Sequence, residues 1–253
     1  MKVLAINASP HKNKGNTAQV LTPFLDGMKD EGADVELFYT GDLVINPCMG
    51  DLSCMIRPDG KCIHRDDMDI LIPKLRDADI IVLASPLYVD DVTGPMKTLM
   101  DRMVPLLQIF VELRNNHTRH PLKEKKLRRV ILVSSCGFWE TDNFDVIVAH
   151  IRAFSRNISA DFAGALLRPH AGSLKGMIAS GGPVLDILDA ARKAGQEMIR
   201  AGTISLGLLE TISRPIIPRD VFLKTSNQLF EEMQKKYTDD SSRAAGTLQE
   251  KRI

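Results

Sequence analysis

A polar loop that follows the first apolar run of the chain has the residue types of a phosphate-binding loop. It reads NASPHKNKGNT and begins at residue 7. A phosphate dianion is held best by backbone N–H groups at the start of a helix, assisted by hydroxyl donors and the helix dipole. The loop offers such donors, a glycine for a tight turn and a basic side chain: Ser9, His11, Gly15, Asn16 and Thr17. We therefore predict a phosphate site here, the alternative being an ordinary polar loop in which Asn16 or Thr17 caps the next helix.

The spacing within this loop differs from that of two widespread nucleotide-binding motifs. The pattern G-x-x-x-x-G-K-[ST] is missing, which disfavours a nucleoside triphosphatase. The pattern G-x-G-x-x-G is missing as well, which disfavours a standard dinucleotide-binding fold. The chain has no G-x-S-x-G segment either, so a hydrolase of that type is not expected.

Two later loops, SPLYVDDVTGPMK and SSCGFWE, suit a flat, electron-poor ring. Such a ring needs a flat backbone edge and an apolar or aromatic face, which Pro86, Leu87 and Tyr88 can supply. A small residue such as Gly137 lets the backbone approach the ring closely. Tyr88 is alternatively a half-buried surface aromatic, but three suitable loops in one chain favour a ring-binding site.

Three of the four cysteines, Cys48, Cys54 and Cys62, lie in the segment PCMGDLSCMIRPDGKC. The N-terminal apolar run is too short for a secretory signal, and no apolar run reaches the roughly 18 residues of a membrane span. We therefore expect a protein of the reducing cytoplasm. In that compartment clustered cysteines indicate metal or redox chemistry rather than disulfides.

The charge balance excludes some partner classes. The formal net charge is +1, from 33 basic and 32 acidic residues. No bulk charge therefore draws the chain to nucleic acid or to a membrane surface.

Strands that alternate with helices position these loops. The apolar pattern predicts five strands, over 2–7, 33–39, 79–86, 128–137 and 160–167. Helices are expected near 17–32, 66–78, 95–106, 143–154 and 182–202. This rhythm predicts an α/β fold with a doubly wound, five-stranded parallel sheet of order 2-1-3-4-5. A ligand in such a sheet binds at the carboxyl ends of strands 1, 3 and 4, where the three loops begin.

Two segments stand apart from the regular alternation. A cysteine-bearing loop, about 44–65, follows strand 2 within a domain predicted over 1–203. The remaining residues, 204–253, form a C-terminal extension in which we expect a helix over about 221–237 and then a disordered tail.

The motifs NASPHKNKGNT and SPLYVDDVTGPMKTLMDR resemble those of the NADPH-dependent FMN reductase branch of the flavodoxin-like superfamily. The resemblance covers roughly residues 1–200. It implies that FMN is bound, with its phosphate held at Ser9, His11, Asn16 and Thr17. It also implies ring contacts from three residues and the nearby backbone of the third loop: Pro86, Leu87, Tyr88, Cys136 and Gly137.

Within that branch the cysteine loop resembles the loop of the iron-sulfur flavoproteins. This sequence supplies Cys48, Cys54 and Cys62, but Asp51 stands where a second cysteine is expected. Three interpretations remain open. Asp51 completes the ligands of a [4Fe–4S] cluster, or the three cysteines bind zinc with His64, or the loop binds no metal and only shapes the flavin pocket or a subunit contact.

The resemblance implies an FMN-dependent oxidoreductase that exchanges electrons with NAD(P)H, a ferredoxin-type partner or a small-molecule acceptor. The reacting groups would belong to the cofactor, so we predict no catalytic side chain. The alternative is a non-enzymatic FMN-binding electron carrier or redox sensor. The resemblance further implies a homodimer or homotetramer.

Overall fold

A five-stranded parallel sheet flanked by helices forms the main body of the protein in a computed structural model. The structure describes residues 1–124, 126 and 128–250, with side chains described as far as residue 238. The strands are β1 (Lys2–Asn7), β2 (Asp34–Tyr39), β3 (Ile80–Pro86), β4 (Glu112–Arg114), β5 (His117–Arg119), β6 (Arg128–Ser135) and β7 (Ala160–Arg168). The helices are α1 (Ala18–Asp30), α2 (Ser53–Ile56), α3 (Met68–Asp77), α4 (Gly94–Asp101), α5 (Asp145–Asn157), α6 (Ala171–Ala179), α7 (Leu185–Ala201), α8 (Leu206–Ser213) and α9 (Arg219–Glu250).

The order of the sheet is β2-β1-β3-β6-β7, with every neighbouring pair parallel. Strands β6 and β7 are the fourth and fifth strands of the sequence prediction. The observed order therefore has the predicted 2-1-3-4-5 pattern. Strands β1, β3 and β6 are almost entirely buried, as the continuous apolar runs indicated.

Helices cover both faces of this sheet. On one face, Leu71 of α3, Met96 of α4 and Ile147 of α5 are fully buried in a core that includes strand residues such as Leu83. On the other face, α1 packs closely against α7. Glycines permit this approach, because a Cβ on Gly27 would overlap the backbone of α7 and a Cβ on Gly195 would overlap the backbone of α1.

Several elements were not expected from the sequence. Strands β4 and β5 form a separate antiparallel hairpin, whose turn places Asn115 and Asn116 at φ values of 51° and 61°. Both residues tolerate this left-handed conformation. The helix predicted over 95–106 ends earlier, at Asp101, and a short 3-10 turn, Val104–Leu106, follows. Helices α2, α6 and α8 were also missed.

The chain divides into two units, Met1–Arg214 and Pro215–Ile253. The first unit extends past the predicted end at 203, because α8 is bound to the sheet through a hydrogen bond from Arg168 to the carbonyl of Ile212.

Helix α9 lies in the second unit and continues past its predicted end at about 237. Residues 238–250, expected to be disordered, are helical, and this segment contains several good helix formers (Ala, Arg, Leu, Gln and Glu). The last three residues of the predicted tail, 251–253, lie outside the described residues. Among the described helices, none is both long and apolar enough to cross a membrane.

Candidate functional site

The three loops predicted to bind a ligand meet at the carboxyl edge of the sheet. Backbone hydrogen bonds join their first residues: the N–H of Ala8 donates to the carbonyl of Ala84 at 2.8 Å, and the N–H of Leu87 donates to that of Ser135 at 2.9 Å. Side chains add to these links, since the Thr93 hydroxyl donates to the carbonyl of Ala8 at 3.3 Å. The edge is therefore cross-linked from β1 through β3 to β6.

The loop after β1 closes around the hydroxyl of Ser9. The backbone N–H of Ser9 donates to Asn7 Oδ1 at 2.8 Å, and the N–H of His11 donates to Ser9 Oγ at 3.3 Å. Gly15 completes the turn, and any Cβ there would clash with Ser9 Oγ. The side-chain amide nitrogen of Asn7 is buried and has no hydrogen-bond partner among the described residues. Buried N–H donors are normally hydrogen-bonded, so this donor indicates that an acceptor atom of a ligand completes the site.

Thr17 joins the first loop to the third. It is buried, and its hydroxyl lies 2.8 Å from the hydroxyl of Ser135. Helix α1 begins at the next residue, so its positive dipole end faces the loop. Asn16 is half-buried and His11 is exposed. All four predicted phosphate contacts therefore lie on one loop at a helix start.

The loop after β3 carries the predicted ring contacts. Pro86 and Leu87 are half-buried, whereas Tyr88 is half-exposed. The backbone of Tyr88 pairs with that of Asp91 in both directions, at 3.0 and 3.3 Å, which closes a tight turn. Asp91 Oδ1 lies 2.7 Å from His150 Nδ1, so helix α5 anchors this turn.

The loop after β6 presents Cys136 and Gly137. Cys136 is buried, and burial raises the pKa of its thiol. The thiol donates to the carbonyl of Phe138 at 3.3 Å, so it is a structural group and not a reactive thiolate. Gly137 differs, because a Cβ there would meet no described atom within 4 Å. The backbone at Gly137 therefore faces open space.

A buried cluster that the sequence did not indicate fixes this third loop. The guanidinium of Arg168 is fully buried and donates to the carbonyls of Pro169, Ile212 and Arg214 at 2.6–2.8 Å. Burial lowers its pKa to about 10, so it stays charged at neutral pH. His170 lies beside it, and burial together with that positive charge lowers the pKa of His170 to about 4. No ligand spacing or apolar period marks these residues in the sequence.

The neutral imidazole of His170 connects this cluster to the loop. Its ring stacks on Trp139, with centroids 6.1 Å apart and planes inclined by 17°. Its backbone N–H donates to the carbonyl of Phe138 at 2.6 Å. Arg168 and His170 therefore act as positioning residues for the segment that contains Gly137.

The cysteine loop is anchored firmly at both ends. Arg102 forms two hydrogen bonds with the carboxylate of Asp66, at 2.7 and 3.1 Å, and a third with the carbonyl of Asn46 at 2.6 Å. Burial alone would raise the pKa of Asp66, but the hydrogen bonds from Arg102 and Asn46 hold it well below its usual range. Arg102 is the last residue of the motif SPLYVDDVTGPMKTLMDR, although the sequence alone did not indicate this anchoring role.

The candidate metal ligands lie close to one another on this loop. Cys48 is exposed, Cys54 is buried and Cys62 is half-buried. Burial raises the pKa of the Cys54 thiol, and the charges of Cys62, Cys48 and Asp51 act on it in the same direction, so these groups are near neighbours. Nevertheless, no three Cys, His, Asp or Glu side chains in the described part of the chain are placed to hold a metal ion. Within the described residues the loop therefore presents neighbouring thiols, but no set of three ligands, with or without His64, that is arranged around a common point.

A match to a known family covers the residues that build the carboxyl edge. Residues 1–137, more than half of the 253-residue chain, match the family model of the NADPH-dependent FMN reductases. The matched segment includes β1, β3 and β6 and the first residues of the three loops.

Curated relatives with similar sequences are iron-sulfur flavoproteins. One from Methanocaldococcus jannaschii is 39% identical over 115 residues, which are 46% of this chain and 58% of the relative. One from Archaeoglobus fulgidus is 39% identical over 105 residues, which are 42% of this chain and 46% of the relative. The chain spans about half the length of the curated relatives it matches.

Solved structures with similar folds include two azoreductases. The azoreductase AzrA superposes with a TM-score of 0.58 at 14% identity, over 78% of this chain and all of that chain. An FMN-dependent NADH-azoreductase from Bacillus anthracis, in complex with FMN, gives 0.57 at 16% identity, over 79% of this chain and all of that chain. At these identities the likeness shows the fold, which is flavodoxin-like.

Proposed function

Because the chain belongs to the NADPH-dependent FMN reductase family, we propose that it is an FMN-dependent oxidoreductase whose cofactor lies at the carboxyl edge of the sheet. The observation that carries this proposal is the cross-linked edge itself. Three loops meet there, one of them closes on a buried hydroxyl at a helix start, and another leaves open space at Gly137.

The phosphate of FMN is assigned to the loop after β1. Ser9 and Thr17 would donate hydroxyl hydrogen bonds, Asn16 would donate from its amide, and the start of α1 would add its dipole. His11 is exposed and would contribute at the rim of the site. The buried amide nitrogen of Asn7 supports a ligand with acceptor oxygens at this edge.

The isoalloxazine ring is assigned to the other two loops. Pro86 and Leu87 would supply a flat apolar edge, and Tyr88 would cover one face of the ring. The backbone at Cys136 and Gly137 would approach the opposite edge, where no side chain intervenes. When bound, FMN supplies both two-electron and one-electron redox chemistry. The side chains of this edge would hold and orient the ring, and Tyr88 would limit the access of water to it.

The electron donor is proposed to be NADH or NADPH, and the acceptor a small molecule such as a flavin or quinone. The named activities of the structural neighbours, azoreductase and NAD(P)H:quinone oxidoreductase, support this class of chemistry. We further propose a cytoplasmic homodimer or homotetramer. Four cysteines without disulfide partners support a reducing compartment.

An iron-sulfur cluster on the cysteine loop is a separate and finer proposal. The names of the curated relatives support it, as does the proximity of Cys48, Asp51, Cys54 and Cys62. The redox chemistry proposed above does not depend on it. Iron and acid-labile sulfide, assayed in protein purified without oxygen, test the proposal: about four irons per chain would support a cluster, and flavin without iron would leave the loop a structural element.

Titration of FMN against the apoprotein, followed by flavin fluorescence, tests the phosphate assignment. Ser9→Ala and Thr17→Val each remove a hydroxyl and are expected to weaken FMN binding about tenfold. The same variants should bind riboflavin, which lacks the phosphate, as the native protein does. Ser180→Ala, at an exposed position after α6, is the matched control. Equal losses for FMN and riboflavin would show that the loop holds no phosphate.

A further inference from the structure

A cavity of about 610 Å³ lies beside the cysteine loop, separate from the proposed flavin site. None of the residues assigned to FMN lines it. Its walls come from the loop segment 57–62, from helix α3 and from the segments on either side of the β4–β5 hairpin. The cavity is large enough for an organic ligand.

Helix α3 forms one long wall of this cavity. Arg65, Met68, Ile72 and Arg76 all line it and recur every three or four residues, so they lie on one face of the helix and its N-terminal extension. Met68 and Arg76 are two turns apart, which corresponds to about 12 Å along the helix axis. The cavity is therefore elongated, with one end at the cysteine loop and the other at the last turn of α3.

Apolar side chains line the middle of the cavity, and Asp69 and the ion-paired Arg102 are also part of the lining. Met68 and Ile72 of α3 face it from one side, and Leu106 and Leu122 line it as well. These side chains are buried or half-buried. They would favour a hydrocarbon segment over a second charged group at this depth.

The end at the cysteine loop carries two lysines without acidic partners. Lys123 Nζ donates to the carbonyl of Cys54 at 2.9 Å, and Lys61 lies on the loop itself. Across the described residues, neither ammonium has a carboxylate within 4.0 Å. By contrast, Arg57 at this end pairs with Asp59 at 2.9 Å.

The opposite end holds a buried arginine that is also without an acidic partner. Arg128, the first residue of β6, is 3% exposed and lines the cavity. One of its nitrogens donates to the carbonyl of Arg76 at 2.6 Å, and its Nε has no partner in the described part of the chain. Burial lowers its pKa, and the charges of Glu124, Asp77 and Asp79 act on it only from beyond ion-pair distance.

A buried guanidinium without a carboxylate destabilises the fold unless another anion balances it. We propose that this cavity binds an elongated organic dianion of the dicarboxylate class, with one acid group at Arg128 and the other at Lys61 and Lys123. The hydrocarbon segment of the ligand lies along Met68 and Ile72. This site is independent of the flavin site and does not rest on the proposed redox function.

Isothermal titration calorimetry of the full chain with azelate, a long unbranched dicarboxylate, tests the proposal. Nonanoate, which has the same chain length and one carboxylate, and succinate, which has two carboxylates too close together, are the comparison probes. We expect azelate to bind about tenfold or more tightly than either, because only azelate reaches both ends at once. Absence of measurable azelate binding, or equal affinity for all three acids, overturns the proposal.

Variants locate the binding at the two ends of the cavity. Arg128→Gln is expected to lower azelate affinity about tenfold, to the level of nonanoate, whereas Arg119→Gln, at a half-buried position outside the cavity, should leave it unchanged. If Arg128→Gln does not fold, the double variant K61M/K123M tests the other end at exposed positions and should cause a loss of similar size. Unchanged azelate affinity in the folded charge variants contradicts the site.

Discussion

The carboxyl edge of the sheet and the cysteine loop differ in how much of a site the chain alone builds. At the edge, hydrogen bonds such as that between Thr93 and Ala8 join neighbouring loops, and Gly15 closes one loop on Ser9. The cysteine loop is anchored at its ends by the ion pair of Arg102 and Asp66, and between them by a hydrogen bond from Lys123 to the carbonyl of Cys54. The candidate metal ligands between these anchors lie near one another, but no three of these described side chains are placed to hold a metal ion. Folding of the sheet brings the loops at its strand ends together, so the site at the carboxyl edge is preformed. Folding alone does not bring together metal ligands that are spread along one long loop.

The buried anchor of the cysteine loop should give the largest effect on stability. Arg102→Leu leaves the carboxylate of Asp66 buried without its partner, so we expect the free energy of unfolding to fall by about 3–5 kcal/mol. Urea unfolding measures this change. Arg192→Leu removes the solvent-exposed partner of Asp30 and should change the free energy of unfolding far less, because water screens this pair. Similar small losses in both variants would mean that Arg102 is no anchor.

A substitution in the phosphate loop at the carboxyl edge tests whether that loop is preformed, as the cysteine loop is not. Gly15→Ala introduces a Cβ that clashes with Ser9 Oγ, so the loop must open. We expect FMN affinity to fall by about 2–3 kcal/mol, which is on the order of 50-fold. Gly172→Ala, at a helical position with open space, is the control and should leave affinity unchanged. Native FMN binding by the Gly15 variant would refute the preformed phosphate loop.

The buried pair of Arg168 and His170 predicts that the stability of the protein depends on pH. The pKa of His170 is lowered to about 4 in the folded protein, so its contribution is fully present above about 6.5, the unfolded value, and is lost as the pH falls. Between about pH 7 and pH 5 the free energy of unfolding should fall by on the order of 2 kcal/mol from this group. Chemical unfolding at several pH values should show a shallower slope for His170→Gln than for native protein. His117→Gln, at an exposed position, should keep the native slope.

The smallest effect is expected at the cysteine nearest the flavin edge. Because burial keeps the Cys136 thiol protonated, Cys136→Ser should alter the rate of flavin reduction by less than about twofold. The serine hydroxyl can donate to the carbonyl of Phe138 in place of the thiol, so the cost in stability should be near 1 kcal/mol. Stopped-flow reduction and thermal unfolding measure the two quantities. A large loss of rate in a folded variant would make Cys136 a redox participant.

Much of the fold could be predicted because it follows from local sequence patterns. The apolar runs of β1, β3 and β6 identify buried parallel strands, and their alternation with helices fixes the predicted order. The loop after β1 could be found because its glycine, hydroxyl and amide residues lie within one short segment. The same reasoning identified the loops at Pro86 and Gly137, which follow strands at the same edge.

Other features depend on contacts between residues that are far apart in the sequence, and no local sequence pattern predicts such contacts. Arg168 and His170 matter because α8 returns to the end of β7 and offers the carbonyl of Ile212 as an acceptor. The β4–β5 hairpin was missed because its strands have only three residues each and are polar. The arrangement of Cys48 and its neighbours could not be predicted, because loop sulfurs are placed by a ligand or by the fold of a long irregular segment.

Anaerobic mixing of FMN-loaded protein with NADPH, and separately with NADH, tests the central claim most directly. The flavin absorbance near its visible maximum is followed in a stopped-flow instrument. The proposed oxidoreductase function predicts that at least one of the two nucleotides bleaches the bound flavin rapidly. An electron carrier or redox sensor would retain FMN and bleach negligibly with both, and a protein that retains no FMN would contradict the assignment of the carboxyl edge.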